Sequence, residues 1–349
     1  MSQTTKRQPG GISVKREVRV EDAVGMRLAH DMTRIVPGEF KGAAFKLGHI
    51  VQEEDIPLLL DMGKRHIYVL DLDETELHEN DGAVQMADAI AGSGVVQTDV
   101  HEGKVILKSR QAGMVWFDEE KLFEMNQVKD ISIAVRPLYS HVDAGTSVAG
   151  LRPIPLVIER EKINQVVATA KQPLKHPNGR TAAGAIDVIP YLPQKIAVVS
   201  TGSEIATGRI KDSFGPALTN KFTKFGLEIS EQTFPGDEFD VIVSDIEQAV
   251  KNGATIVCVT GGMSVDPDDR SPGAITKAAD EVVSYGAPVL PGSMTMLAYK
   301  GETVIFGLPG AVMHDKKTTL DLLLPRVLAG IKLTKADIAR MGAGGWLNV

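Results

Sequence analysis

The stretch TIVCVTGGMSVDPDD, residues 255–269, decides how this chain folds. An apolar run leads into two glycines, Gly261 and Gly262, which are followed by small residues and three aspartates. Ser271 and Pro272 come next and are typical of an N-cap and a first helical residue. A buried strand that leads into a glycine turn before a helix is how α/β proteins bind anions and metal ions. The stretch therefore predicts an α/β domain that binds a phosphate-bearing ligand together with a divalent ion.

Strands and helices alternate on both sides of this stretch. The apolar patterns predict strands at residues 196–200, 228–234, 255–260 and 303–307, and helices at 214–225, 239–251 and 272–280, with a long last helix ending near residue 330. Strands that alternate with helices indicate right-handed crossovers and a parallel sheet covered on both faces. Because parallel strands end at the same edge of a sheet, we expect the loops that follow them to form one site.

Four loops follow the predicted strands, at residues 201–204, 235–238, 261–269 and 308–310. The aspartates of the third loop would repel one another, so a bound Mg²⁺ would rationalise them, and a solvated acidic loop is the alternative. Asp237 in the second loop could serve the site or cap the following helix. The first loop lacks the lysine of a P-loop, although its hydroxyl groups could donate to a phosphate. The turn at Pro309 and Gly310 could contribute to the site or could simply connect a strand to a helix.

The rest of the chain predicts three further segments. Residues 1–16 are expected to be a disordered lead, residues 17–190 a smaller β-rich α+β accessory region, and residues 332–349 a C-terminal tail. Short apolar runs separated by glycine and proline indicate small sheets with few helices in the accessory region. Prolines cluster between residues 173 and 193, which places the α/β domain at residues 191–331.

Composition and charge exclude several classes of protein. The chain has 349 residues, a net charge of −7 and only 5% aromatic residues, which disfavours a nucleic-acid binder. Its single cysteine, Cys258, excludes a disulfide framework and is expected to be a core thiol. No segment approaches the roughly 20 apolar residues of a membrane span, and no secretory signal is evident. We therefore expect a cytoplasmic protein without a membrane partner.

The eight histidines show no spacing typical of metal ligands. His314 differs from the others because it lies in the first turns of the last predicted helix, beside the predicted site. The run from His314 to Lys317 could meet an anion, and a solvated charged face is the alternative.

The loop residues also resemble a known family. The motifs at residues 200–204, 208–213, 237–238, 260–262, 269, 271–272 and 308–310 come in the order of the domain shared by molybdopterin adenylyltransferase, molybdopterin molybdotransferase, gephyrin and competence-damage-inducible proteins. The resemblance covers about residues 194–330 and is nearest to the molybdotransferase. It implies a parallel-sheet α/β sandwich that binds molybdopterin, an anionic pterin dithiolene, or its adenylylated form. Residues 20–23, 28–31 and 48–51 resemble, more weakly, the accessory domains of the molybdotransferase.

The resemblance implies roles for individual residues. Asp237 and Asp269 would hold Mg²⁺, orient the phosphates and act in catalysis. The residues that would bind the pterin and its phosphate are Thr201, Gly202, Ser203, Glu204, Asp212, Ser213, Thr260, Gly261, Gly262, Met263, Ser264, Pro309 and Gly310. The chemistry implied is metal-assisted cleavage of a phosphoanhydride while molybdate enters at the dithiolene. The resemblance also implies a homo-oligomer and, as a further partner, a molybdenum enzyme that receives the cofactor.

Three departures from the family's pattern qualify this picture. Ser293 stands where molybdotransferases usually have a lysine, Ala311 where they have an asparagine, and Phe214 where they have another asparagine. These changes affect the expected contacts with molybdate and pterin and leave the two magnesium aspartates in place. Lys316 or Lys317 could supply the missing positive charge. The sequence thus favours a protein that assists molybdate insertion, with a non-catalytic molybdopterin carrier or insertion partner as the alternative. A nucleotide pyrophosphatase is a third alternative, which the N-terminal region disfavours.

Overall fold

The computed structural model describes residues 15–36, 40–70, 72, 74–264, 266 and 269–347. Residues 1–14 of the predicted disordered lead lie outside the described residues, and Lys15 and Arg16 begin the first strand. No described helix is long and apolar enough to cross a membrane.

Short antiparallel ladders and four helices make up the described residues up to Pro190. The strands are β1 (Lys15–Arg19), β2 (Arg27–Leu28), β3 (Met32–Val36), β4 (Phe40–Phe45), β5 (His66–Leu70), β6 (Glu76–His78), β7 (Val95–Gln97), β8 (Val105–Ser109), β9 (Gly113–Phe117), β10 (Ile131–Val135), β11 (His141–Val142), β12 (Ser147–Pro153), β13 (Val157–Glu159), β14 (Leu174–Lys175), β15 (Thr181–Ala182) and β16 (Ile186–Pro190). The helices are α1 (Asp55–Asp61), α2 (Glu79–Ile90), α3 (Glu119–Gln127) and α4 (Arg160–Ala170), and Val20–Asp22 is a 3₁₀ turn.

A six-stranded sheet with helices on both faces follows this β-rich region. Its elements are β17 (Ile196–Thr201), α5 (Ser203–Ala206), α6 (Phe214–Thr223), β18 (Ile229–Gly236), α7 (Phe239–Lys251), β19 (Ile256–Thr260), α8 (Ser271–Ala278), β20 (Glu281–Tyr285), β21 (Met296–Lys300), β22 (Thr303–Leu308), α9 (Ala311–His314), α10 (Thr319–Leu328) and α11 (Lys335–Arg340). The strand order is β18-β17-β19-β22-β21-β20. The predicted mixed α/β architecture with a parallel sheet is therefore confirmed.

The four predicted strands are the four parallel ones. β17 pairs in parallel with both β18 and β19, and β19 pairs in parallel with β22. All residues of β17 and β19 are buried, as expected for strands covered on both faces. Leu218 and Phe222 of α6 share one core with α10, whereas Ile242 of α7 shares the opposite core with α8. The connections after neighbouring strands thus leave toward opposite faces, and this opens a crevice at the carboxyl edge of the sheet.

Several local predictions for this domain are wrong. The antiparallel strands β20 and β21 were not predicted, and the single long helix is divided into α9 and α10. The break occurs because Thr318 and Asp321 form a capping box that starts a new helix. Ser271 is the first residue of α8 and not its N-cap, a difference of one position that is common at helix ends.

The β-rich region and the α/β domain share part of a core. Met114 and Trp116 of β9 belong to the same buried cluster as Leu324 and Leu328 of α10. The predicted C-terminal tail also joins this cluster through Ile338 of α11. The face of the sheet that carries α6 and α10 is therefore covered by residues from three parts of the chain.

Candidate functional site

All four loops singled out in the sequence lie at the carboxyl edge of the parallel strands, because β17, β18, β19 and β22 run in the same direction. Two further segments reach the same edge through the antiparallel strands. Met296 at the start of β21 pairs with Gly307, so the preceding Pro291-Gly292 turn lies beside the end of β22. Tyr285 at the end of β20 pairs with Met296 and lies there as well.

The loop after β17 is held by the loop after β18. The Ser203 backbone N–H donates to Oδ2 of Asp237 at 2.7 Å, and the Gly202 N–H donates to the Gly236 carbonyl at 3.2 Å. Gly202 has a φ of +124°, a backbone conformation that residues other than glycine rarely adopt. The turn thus presents the exposed side chains of Ser203 and Glu204 next to Asp237.

The glycines after β19 are required by close backbone approach. Gly261 has a φ of +85°, and a Cβ there would lie 2.6 Å from the Thr201 carbonyl oxygen. Gly262 also has a positive φ, of +53°. Without side chains, this turn packs directly against the end of the neighbouring strand β17.

Buried hydroxyl groups connect the loop after β17 with the loop after β19. The Thr201 hydroxyl donates to the Thr260 carbonyl at 3.0 Å and lies 3.1 Å from the Ser271 hydroxyl, which donates to the Gly261 carbonyl at 2.7 Å. Thr201 and Ser271 are both buried. These hydroxyl groups therefore fix the loops and are already engaged within the protein, which differs from the expected donation by Thr201 to a phosphate.

Asp269 organises the loop after β19 in the way that Asp237 organises the loop after β17. Its Oδ2 accepts the Ser264 N–H at 2.8 Å, and its own N–H donates to the Asp266 carbonyl at 3.0 Å. Asp266 is exposed, and Asp268 lies outside the described residues. In each of the two site aspartates, one carboxylate oxygen accepts a backbone N–H and Oδ1 accepts no hydrogen bond from the described residues.

Each of the two site aspartates keeps one oxygen that a metal ion shared with a ligand would use. Among the described residues, no group of three or more His, Cys, Asp or Glu side chains gathers as a metal cage would require. Proteins usually hold Mg²⁺ through one or two carboxylates plus the phosphates of a substrate. The open oxygens of Asp237 and Asp269 are donors of the type that Mg²⁺ prefers.

Not every predicted binding residue presents its side chain to the crevice. Met263 is buried, and a Cβ at Gly307 would lie 2.5 Å from its Cε, so its side chain packs in the core under the sheet edge. Thr260 is also buried, with its hydroxyl donating to the Ser200 hydroxyl at 3.3 Å. Ser264 is exposed. Met263 and Thr260 can therefore contact a ligand only through their backbone.

Asp212 serves mainly as a helix-capping residue. Its carboxylate accepts the N–H groups of Phe214 at 2.9 Å and Gly215 at 3.0 Å, at the start of α6. It also accepts from Nε2 of Gln232 at 2.7 Å, which links the loop to β18. Ser213 beside it is exposed and carries no side-chain cap bond.

A buried lysine that the sequence did not indicate supports the loop after β22. Nζ of Lys221 lies 2.6 Å from Oδ2 of Asp321 and donates to the carbonyls of Asp315 and Lys316 at 3.3 and 3.2 Å. This holds the segment between α9 and α10 and leaves the side chains of Lys316 and Lys317 exposed, together with Gly310 at the same turn. Pro309 is half-buried.

Tyr285 is a second site residue that sequence reasoning missed. Its hydroxyl lies 3.0 Å from the Met263 carbonyl and 3.2 Å from the Ser264 carbonyl, so it supports the glycine loop from the edge of the sheet. Partial burial and the negative charge of Asp269 raise the pKa of Tyr285 above its usual value. The hydroxyl therefore remains a donor at neutral pH.

Comparison with known proteins agrees with this geometry. Residues 197–329 match a family described as a probable molybdopterin binding domain, and residues 17–71 match a domain of unknown function. The resemblance predicted from the loop motifs is thereby confirmed for the α/β domain.

Curated relatives of that domain act in molybdenum cofactor biosynthesis. A molybdopterin molybdenumtransferase of Staphylococcus aureus (strain Mu50) is 31% identical over 122 residues, 33% of this chain and 29% of the relative. A molybdopterin adenylyltransferase of Pyrococcus furiosus is 26% identical over 153 residues, 40% of this chain and 89% of the relative. The chain thus spans less than a third of the molybdenumtransferase that it matches.

A solved structure, the molybdopterin biosynthesis enzyme MoaB of Thermus thermophilus, aligns with 41% of this chain and 98% of its own. The sequence identity is 20% and the TM-score is 0.37.

Proposed function

We propose that this protein acts in molybdenum cofactor biosynthesis by binding molybdopterin or its adenylylated form at the carboxyl edge and assisting Mg²⁺-dependent molybdate insertion. One observation carries the proposal. Asp237 and Asp269 each accept a backbone N–H of a loop at this edge, Ser203 after β17 and Ser264 after β19, and each keeps a second carboxylate oxygen for a cation. The family match of residues 197–329 supports molybdopterin as the ligand.

Different residues of the site would bind the phosphates, hold the metal ion and support the loops. The glycine turn at Gly261 and Gly262 would offer backbone amides to the phosphates of the ligand. The N–H groups of Gly202 and Ser203 already hold the loop after β17 against the loop after β18. Mg²⁺ held by Asp237 and Asp269 would act as a Lewis acid on those phosphates and as a template for them. Thr201 and Ser271 keep both loops in place without touching the ligand.

Molybdate needs positive charge, and the usual lysine is absent because Ser293 occupies its position. We propose that Lys316 or Lys317 supplies this charge, since both are exposed on the segment after α9 at the same edge. The double substitution of Lys316 and Lys317 to alanine is expected to lower molybdate-dependent turnover while the ligand still binds. Unchanged turnover in this variant would rule out the assignment.

A non-catalytic carrier of molybdopterin is the second candidate, and the altered positions Ser293 and Ala311 favour it. Incubation of the purified protein with adenylylated molybdopterin, Mg²⁺ and molybdate distinguishes the enzyme from the carrier. Release of AMP that depends on Asp269 supports the enzyme, whereas tight binding without AMP release supports the carrier. Failure of the protein to bind either form of molybdopterin contradicts both. The cytoplasmic location, the homo-oligomeric state and a molybdenum enzyme as recipient remain predictions.

A further inference from the structure

A cavity of about 410 Å³ lies at the C-terminal end of α10, away from the candidate site. The helix begins with Thr319, which contacts the Pro291-Gly292 turn at the carboxyl edge, and the cavity is lined by residues from Arg326 onward. Residues from the β-rich region and from the C-terminal segment complete its wall. The lining includes Tyr139, Arg326, Ile331, Lys332, Leu333, Asp337 and Arg340.

Arg326 is the unusual member of this wall. Its guanidinium lies over the ring of Tyr139, with Cζ 4.1 Å from the ring centroid. Its Nε is buried and has no hydrogen-bond partner, and the guanidinium forms no ion pair within the described part of the chain. Burial lowers the pKa of Arg326 from its ordinary value, yet a guanidinium stays protonated at neutral pH. Arg326 is half-buried, and a partly desolvated cation without a hydrogen-bonded counterion is a favourable position for an anion.

The charges around the cavity leave a positive excess. Arg326, Lys332 and Arg340 contribute three cationic side chains, and Asp337 is the one acid in the lining. The Asp337 carboxylate is already engaged, because its Oδ2 accepts from the backbone N–H and the hydroxyl of Thr334 at 2.8 and 2.6 Å. Lys332 also lies 3.3 Å from Glu281 outside the cavity, in an exposed ion pair. The lining therefore carries a net charge of +2, of which the Lys332–Glu281 ion pair offsets one, and the remaining positive charge favours an anion.

The backbone at Tyr139 points to a specialised position as well. Tyr139 has a φ of +63°, in the left-handed region that residues other than glycine rarely occupy. Its backbone N–H donates to the Val115 carbonyl at 2.9 Å, which holds this conformation. Such residues persist where the surroundings over-determine them, and here the result is that the ring is placed under the Arg326 guanidinium.

We propose that this cavity binds a small organic phosphate monoester, with the phosphate on Arg326 and Arg340 and the organic part against Ile331 and Leu333. A phosphate monoester carries close to two negative charges at neutral pH, and a guanidinium binds its oxygens with two parallel hydrogen bonds. The volume lies within the range of small-molecule sites, roughly 300–1,000 Å³. The site is separate from the pterin site and does not depend on the proposed function.

Calorimetric titration of the full-length protein with phenyl phosphate, inorganic phosphate and benzoate tests the proposal. We expect phenyl phosphate to bind most tightly, because it alone offers both the dianion and an apolar body. The substitution Arg326→Met keeps the length and apolar contact of the side chain and should weaken binding by about tenfold or more, as expected for a lost charge-assisted pair. The matched control Arg19→Met removes an exposed arginine of β1 and should leave the affinity unchanged.

Three results would overturn the proposal: no binding of phenyl phosphate at millimolar concentration, tighter binding of benzoate or inorganic phosphate, or equal affinity in Arg326→Met. Should Arg326→Met fail to fold, Arg340→Met at the exposed rim decides in its place. It is expected to lower the affinity several-fold, and an unchanged affinity in this variant equally contradicts the site.

Discussion

Buried or half-buried aspartates play different parts in the two halves of the molecule. In the β-rich region, both carboxylate oxygens of Asp187 of β16 face protein groups. Oδ1 accepts the N–H groups of Gly94 and Val188 at 2.7 and 2.8 Å, and Oδ2 lies 3.2 Å from Nε2 of His176. At the carboxyl edge of the α/β domain, Asp269 uses one oxygen for the Ser264 N–H and keeps the other open. The first carboxylate is engaged within the protein on both sides, whereas the second keeps the oxygen that we propose binds a ligand.

The largest effect should follow from Asp269→Asn. An asparagine keeps an oxygen that can accept the Ser264 N–H, so the loop should stay in place while a charged ligand for Mg²⁺ is lost. We expect AMP release from adenylylated molybdopterin to fall by about a thousandfold, consistent with a metal contribution of several kcal/mol. The melting temperature should not change.

Asp118→Asn is the matched control for this substitution. Asp118 also accepts a backbone N–H, that of Lys121 at 2.9 Å, where it caps α3 in the β-rich region. We expect full activity in this variant. If Asp118→Asn and Asp269→Asn lowered AMP release equally, the loss would follow from removing any aspartate that accepts a backbone N–H. Asp269 would then have no special role at the site.

Gly261→Ala should have the next largest effect. A Cβ at this position would lie 2.6 Å from a backbone oxygen at a φ of +85°, so strain and overlap together are expected to cost about 3 kcal/mol. Urea denaturation measures this cost. Gly145→Ala is the control, because its φ of +78° is similar and nothing lies within 4 Å of the added methyl group, which leaves a cost of about 1 kcal/mol. Equal costs in the two variants would refute the close approach of the two loops.

Asp187→Ala should lower stability without affecting the site. Two buried N–H groups would lose their acceptor, which is expected to cost about 2 kcal/mol or more in the free energy of unfolding. Binding of molybdopterin by the fraction that remains folded should be unchanged. A selective loss of binding with unchanged stability would reverse the roles assigned to the two aspartates.

The smallest effect is expected for Tyr285→Phe. The variant removes one hydroxyl that supports the glycine loop through the Met263 and Ser264 carbonyls, a hydrogen bond worth about 1 kcal/mol. We expect about a fivefold weaker binding of molybdopterin, measured by titration. An affinity equal to that of the unchanged protein would remove Tyr285 from the site.

The same two halves differ in how far the sequence predicts them. The parallel strands were predicted because runs such as 256–260 are apolar on both faces and end at glycines. β20 was missed because it is an edge strand with exposed residues, Glu281 among them, and its partner β21 is joined to it only through a loop rich in glycine and proline. Short strands of the β-rich region pair over long distances, as β6 does with β13, and hydrophobic patterns do not encode such partners.

The residues of the candidate site were also only partly predictable from the sequence. The glycine and aspartate positions could be found from the sequence because positive φ angles and carboxylate ligands restrict the residue types that serve. Tyr285 and Lys221 could not, since each acts through a contact with a segment far away in sequence: Tyr285 with Ser264, and Lys221 with Asp321. Their roles became visible only with the tertiary structure.

The central claim is that the glycine loops of the α/β domain bind a pterin. The most direct measurement is the fluorescence of oxidised pterin released from the full-length protein after purification from its native host, compared with the Gly261→Ala variant prepared in the same way. We predict pterin in the unchanged protein and its loss in the variant. Absence of pterin from the enriched, folded protein, or equal amounts in both preparations, would contradict the account.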